Sequence, residues 1–98
     1  MNIQQIRNGN ELVLALEGRL DTVTAPELEA ALKDALEGVE ELILDFEKLD
    51  YISSAGLRVL LVAQKTMSQQ GGMKIRNVNE IIREVFDVTG FSDFLTIE

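Results

Sequence analysis

The chain has 98 residues, 46% of them apolar and 27% charged, enough for one hydrophobic core of modest thickness. Its 17 acidic and 9 basic residues give a net charge of −8, which a phosphate backbone would repel, so nucleic acid is set aside as a partner. It has no cysteine and no histidine, which removes disulfides, Cys/His zinc sites and thiol or imidazole catalysis.

Ile3 to Arg7 is a weak strand candidate. Asn8-Gly9-Asn10 reads as a tight turn, because Asn and Gly tolerate positive φ. In Glu11 to Glu17, Leu12, Leu14 and Leu16 alternate with Val13 and Ala15, the period of a strand hairpinned to the first. Gly18-Arg19-Leu20-Asp21-Thr22 is predicted as an exit loop. Thr24 with Glu27 three residues on, and Pro26 in the first turn, predicts a capped helix start. Leu28, Leu32, Ala35 and Leu36 continue at helical spacing, and Gly38 is predicted to end that helix.

Leu42 to Phe46 is apolar on both faces except at Asp45, which predicts a central parallel strand buried on both sides. A helix is predicted from about Ser54 to Gln70, stopped by Gly71-Gly72. Met73 to Val78 alternates as a short strand. Asn79 is a candidate cap for a further helix with Ile81, Ile82, Val85 and Phe86 on one face, ended by Gly90. Phe91 to Phe94 reads as a turn or half-helix, and Leu95-Thr96-Ile97 as a possible last strand. The predicted order is β-β-α-β-α-β-α with a possible final β, an α/β fold with a small mixed sheet and packed helices. No apolar run reaches the length of a membrane span, and Met1 to Arg7 lacks a signal-peptide core. The expectation is a soluble cytoplasmic chain with no membrane insertion.

Asp50 to Arg58 stands where a strand hands over to a helix. The first turn of a helix offers unpartnered N–H groups and partial positive charge, which favour an oxygen or phosphate placed there. Catalysis by a serine in this stretch would need a base, and no histidine supplies one. The Gly-x-Ser-x-Gly, P-loop and Gly-x-Gly-x-x-Gly patterns are absent as well. The plainer reading of Ser54 is an N-cap, worth about 1 kcal/mol. The plainer reading of Gly56 is close helix–strand packing, since glycine inside a helix costs about 1 kcal/mol. On a helical wheel Val59, Leu60, Ala63 and Met67 face the sheet. Ser54, Arg58, Lys65 and Gln69 face solvent, flanked by Leu57, Leu61 and Val62. Those flanks suit either a protein-binding surface or cover by a neighbouring helix.

The stretch Asp50-Tyr51-Ile52-Ser53-Ser54-Ala55-Gly56-Leu57-Arg58-Val59-Leu60-Leu61 resembles the signature of STAS domains, in particular of bacterial anti-sigma-factor antagonists. Gly18 to Leu28 resembles that family's first block, Gly-Glu-Leu-Asp followed by Thr-Ala and a Leu. Val88-Thr89-Gly90-Phe91 resembles its C-terminal block. The resemblance spans nearly the whole chain and implies a single STAS domain over residues 1–98 with no cofactor.

It also implies a non-enzymatic partner switch. The serine two residues before the Gly-Leu pair, here Ser54, would be phosphorylated by a partner kinase that is also the anti-sigma factor. The unphosphorylated chain would bind that kinase, and a PP2C-type phosphatase would restore it. The family pattern often carries Asp where this chain has Ser53, so Ser53 is the second candidate acceptor and a candidate determinant of kinase choice. The chemistry of the two hydroxyls alone does not separate them. Carried over as partner-binding are Asp21, Thr22, Thr24, Ser53, Ala55, Gly56, Leu57, Arg58 and Leu61. The runner-up is a STAS subunit of another assembly, such as a lipid ABC transport system, that works without phosphorylation. A catalytic serine is the third reading.

Overall fold

A computed structural model describes residues 1–98. The elements are β1 (Asn2–Asn8), β2 (Glu11–Leu20), α1 (Ala25–Ala35), β3 (Glu41–Ile52), α2 (Ser54–Ser68), β4 (Gly72–Arg76), α3 (Glu80–Thr89) and a 3₁₀ turn at Phe91–Asp93. The order is the predicted one. The possible final strand reduces to a single parallel bridge between Ile75 and Ile97.

β1 and β2 form an antiparallel hairpin around Gly9, whose φ of +64° the turn requires. β2 runs parallel to β3, and β3 parallel to β4, giving the sheet order β1-β2-β3-β4. Leu12, Leu14 and Leu16 of β2 and Leu42, Leu44 and Phe46 of β3 share one core with Leu28 and Leu32 of α1, Leu60 and Met67 of α2, and Ile82 and Phe86 of α3. All three helices therefore pack on the same face of the sheet. Val13 and Ala15 point the other way and are half-buried. β3 is central and parallel, as expected. It is not covered on both faces, however, because Ile43, although buried, lies outside the core that the helices close.

The strands run further than their local patterns suggested. Gly18-Arg19-Leu20 belongs to β2, and Asp50-Tyr51-Ile52 to β3. Two register shifts, between Ala15 and Glu17 and between Gly18 and Arg19, interrupt the pairing. They break the period-2 signal, which is why Gly18 to Leu20 reads as loop in the sequence. Pairing resumes at Arg19–Tyr51 and Leu20–Ile52, and this resumed ladder carries both strands to the start of α2.

The helix ends differ by a few residues. α1 stops at Ala35, and Gly38 (φ +76°) shapes the turn after it. α2 stops at Ser68, and the Gln70 side chain then donates to the carbonyls of Leu36 (2.9 Å) and Val39 (2.8 Å). In α3 both predicted ends hold: Asn79 Oδ1 accepts from the Ile82 N–H at 2.8 Å, and Gly90 closes the helix at φ +83°.

Candidate functional site

The site lies where β2 and β3 end together. The Ser53 N–H donates to the Leu20 carbonyl at 2.9 Å, tying the two strand ends at the last residue before α2. Ser53 is the N-cap, in extended conformation, and Ser54 is the first residue of the helix. This corrects the reading of Ser54 as a cap. Leu57 N–H is the first to find a helical carbonyl, that of Ser53 at 3.0 Å, so the N–H groups of Ser54, Ala55 and Gly56 precede the intrahelical ladder. Neither serine side chain caps the helix. The Ser53 hydroxyl is buried without a partner. Ser54 is exposed, so its hydroxyl is the accessible one of the two.

Gly56 explains how α2 approaches so closely. A Cβ there would lie 2.7 Å from Leu20 Cγ and 2.9 Å from Ile52 Cγ1. The absent side chain lets the first turn of α2 rest on the ends of β2 and β3. Gly56 is thus buried packing and not a contact residue. Leu57 is corrected in the same way: it is only 7% exposed and belongs to the core. Leu61 is half-buried, and Val62 stands out at 52% exposed. Val59, Leu60, Ala63 and Met67 face the core, while Arg58, Lys65 and Gln69 face solvent, as the wheel predicts.

Asp21 builds the turn between β2 and α1. Its Oδ1 accepts from the N–H groups of Val23 and Thr24, both at 3.0 Å. Thr24 Oγ1 accepts from the Asp21 N–H at 2.8 Å and donates to the Arg19 carbonyl at 2.6 Å. The predicted capping box is therefore not formed: Thr24 sits at the N-cap, but its hydroxyl serves the turn and makes no cap bond. Thr22 and Val23 are left exposed on the outside of that turn.

The Thr24 N–H bond, aided by the Thr24 hydroxyl, the Val23 N–H and nearby Arg19, outweighs desolvation and holds the Asp21 carboxyl below its ordinary range. A depressed folded-state pKa means that Asp21 contributes stability above its unfolded pKa and loses it as pH falls through the folded value. The urea midpoint of the wild-type chain should exceed that of Asp21→Asn at about pH 6, and the gap should close toward about pH 3 as the carboxyl protonates. A gap that stays constant over that range would contradict this role.

The ladder also brings together two residues that sequence reasoning missed. Arg19 and Tyr51 are register partners, with the guanidinium carbon 4.3 Å from the ring centre. Arg19 Nε lies 3.8 Å from Asp21 Oδ2. The available signal was their position one residue before Leu20 and Ile52, on the opposite side of each strand, but the Arg19 stretch reads as loop and Tyr51 as the handover after the strand. Arg19 also stands where the family block has Glu.

Among the concave features is an open groove of about 500 Å³ between α1 and α2, lined by Leu32, Lys33, Leu36, Val59, Val62 and Ala63. No cluster of three or more carboxylates in the fold is arranged to hold a metal ion. No helix is long and apolar enough to cross a membrane.

Comparison with known proteins agrees with the fold. BtrV of Bordetella bronchiseptica, named as a candidate anti-sigma factor antagonist, is 40% identical over 82 residues, covering 82% of this chain and 71% of that protein. The anti-sigma-B factor antagonist of Bacillus subtilis is 30% identical over 98 residues, covering 99% of this chain and 90% of its own. Bacillus SpoIIAA, solved in a phosphorylated form, superposes with a TM-score of 0.76 at 22% identity, over 99% of this chain and 91% of that one. The STAS domain family matches residues 2–98, and the chain belongs to it.

Proposed function

We propose that this chain is an anti-sigma-factor antagonist that acts as a binding module, with Ser54 as its phosphorylation switch. The observation that carries this is the division of labour at the start of α2. Ser53 takes the cap position, and Ser54 stands exposed with no structural duty at the positive end of a helix. Relatives across nearly the whole chain bear antagonist names, which supports the function class.

In this reading the unphosphorylated chain binds an anti-sigma factor that is also a serine kinase. Around Ser54, the exposed Thr22 and Arg58 and the half-buried Asp21, Thr24, Ser53, Ala55 and Leu61 form the contact surface. The kinase transfers the γ-phosphoryl group of ATP to Ser54 Oγ, and ADP and the hydroxyl proton leave. The phosphate adds about −1.5 to −2 charge at neutral pH. The helix N-terminus tolerates it, so the fold need not change. Arg58, one turn along α2, can approach it. The partner surface that covered a neutral hydroxyl now meets a dianion beside Asp21 and releases. A PP2C-type phosphatase removes the phosphate and resets the switch.

The test is phosphosite mapping by mass spectrometry on the chain recovered from its own cells, growing and stressed, with Ser54→Ala as control. A single phosphate on Ser54 whose occupancy changes with conditions is the expected result. A phosphate on Ser53 would move the switch by one residue. No phosphate under any condition would favour a constitutive STAS subunit, with Ser54 as no more than an exposed first-turn residue.

A further inference from the structure

Arg19 is held in place but uncommitted. It lies against the Tyr51 ring, its contact with Asp21 exceeds hydrogen-bond length, and its side chain is 60% exposed. The planar fork of N–H donors is therefore preset and unspent. Asp21 is the reverse case. Its inner oxygen is tied to Val23 and Thr24, so its charge cannot swing away. The Ser53–Leu20 bond sets Asp21 and Ser54, each the next residue in its chain, at the same strand-end junction. A phosphate on Ser54 would therefore arrive at the strand-end junction that carries the fixed carboxylate, where the long Arg19 side chain, which leaves β2 on the face opposite the helices, can reach it only round the strand end.

We propose, resting on the reading of Ser54 as the phosphoacceptor, that Arg19 is the counter-ion of the Ser54 phosphate, exchanging its long contact with Asp21 for the phosphate oxygens. The exchange is favourable because an exposed ion pair at such a distance contributes little. A guanidinium–phosphate pair is short, charge-assisted and bidentate. It has a consequence away from Ser54. When the guanidinium leaves, the Tyr51 ring and the outer oxygen of Asp21 are uncovered. Phosphorylation then alters a patch spanning both strand ends, and a partner reads more than the phosphate itself.

The test needs no kinase. Phosphoserine is placed at position 54 during ribosomal synthesis, and its second ionisation is followed by phosphorus NMR in the wild-type, Arg19→Gln, Arg58→Gln and Lys33→Gln backgrounds. The wild-type midpoint should lie below the ordinary value of about 6. Arg19→Gln should raise it by about half a unit, and Lys33→Gln, in the last turn of α1, should leave it unchanged. Tyr51 supplies an independent readout, since it is the single tyrosine of a chain without tryptophan. Its emission should differ between the phosphorylated and unphosphorylated wild type, and this difference should vanish in Arg19→Gln. Equal midpoints in the wild type and Arg19→Gln would overturn the proposal, and an increase confined to Arg58→Gln would give the role to Arg58. The switch reading fails separately, through absence of the phosphate in cells, because here the phosphate is installed by design.

Discussion

Under the proposed function, Ser54→Asp is expected to bind the anti-sigma kinase roughly ten- to a hundredfold more weakly than the wild type while keeping its fold. Such a loss corresponds to about 1.4 to 3 kcal/mol at the interface. The cause is local. A carboxylate replaces a neutral hydroxyl on an exposed first-turn residue, at the strand-end junction from which Asp21 also leaves. A partner surface built to cover a hydroxyl then faces unpaired charge, which costs binding more than it costs folding. The helix N-terminus stabilises the new charge, so the thermal midpoint should move by no more than a few degrees. Ser54→Ala removes the acceptor without adding charge and should bind about as well as the wild type. Titration calorimetry of the three proteins against the kinase decides the matter. Equal affinity for Ser54→Asp and wild type would refute charge at this position as the release mechanism.

Gly71→Ala should destabilise the fold by at least about 2 to 3 kcal/mol, read as a lowered urea midpoint at unchanged slope. A Cβ on Gly71 would overlap the Glu40 carbonyl oxygen and stand 2.8 Å from its carbon. These are backbone atoms, and that carbonyl already accepts the Gly72 N–H at 2.9 Å, the bond that seats β4 beside β3. Neither side can yield without breaking the start of the β3–β4 ladder. Gly72→Ala is the control, because a Cβ there meets nothing within 4 Å. If both variants unfold at the wild-type midpoint, the close approach at Gly71 is not what seats the strand.

The two glycines of that pair look alike in the sequence, where both read as a helix stop. Only Glu40, 31 positions before Gly71, makes one of them irreplaceable. The same holds at the start of α2. The patterns of β2, α2 and α3 were legible because each is a local periodicity with a cap or a turn residue at its end: Leu12-Leu14-Leu16, Val59-Leu60-Ala63-Met67, and Asn79 with Gly90. The paired serines before a Gly-Leu dipeptide were legible as a motif, together with the Asp21 block upstream.

What the sequence by itself determined is the order of elements, much of the core faces of the helices and the pair of hydroxyls at a strand-to-helix handover. Each of these follows from neighbours within about one or two helical turns, which is the range of side-chain periodicity and capping. Ile81, predicted on the packed face of α3, is instead 65% exposed, and only Ile82 and Phe86 of that helix are buried. Tertiary structure alone decided which serine is exposed, that Leu57 and Gly56 are packing and not surface, that one face of the sheet is left open, and that Arg19 meets Tyr51. Those outcomes depend on a ladder between β2 and β3 that restarts after two register shifts and joins residues more than 30 positions apart. No local propensity encodes such a restart, because the pairing is stabilised only once both strands are already side by side.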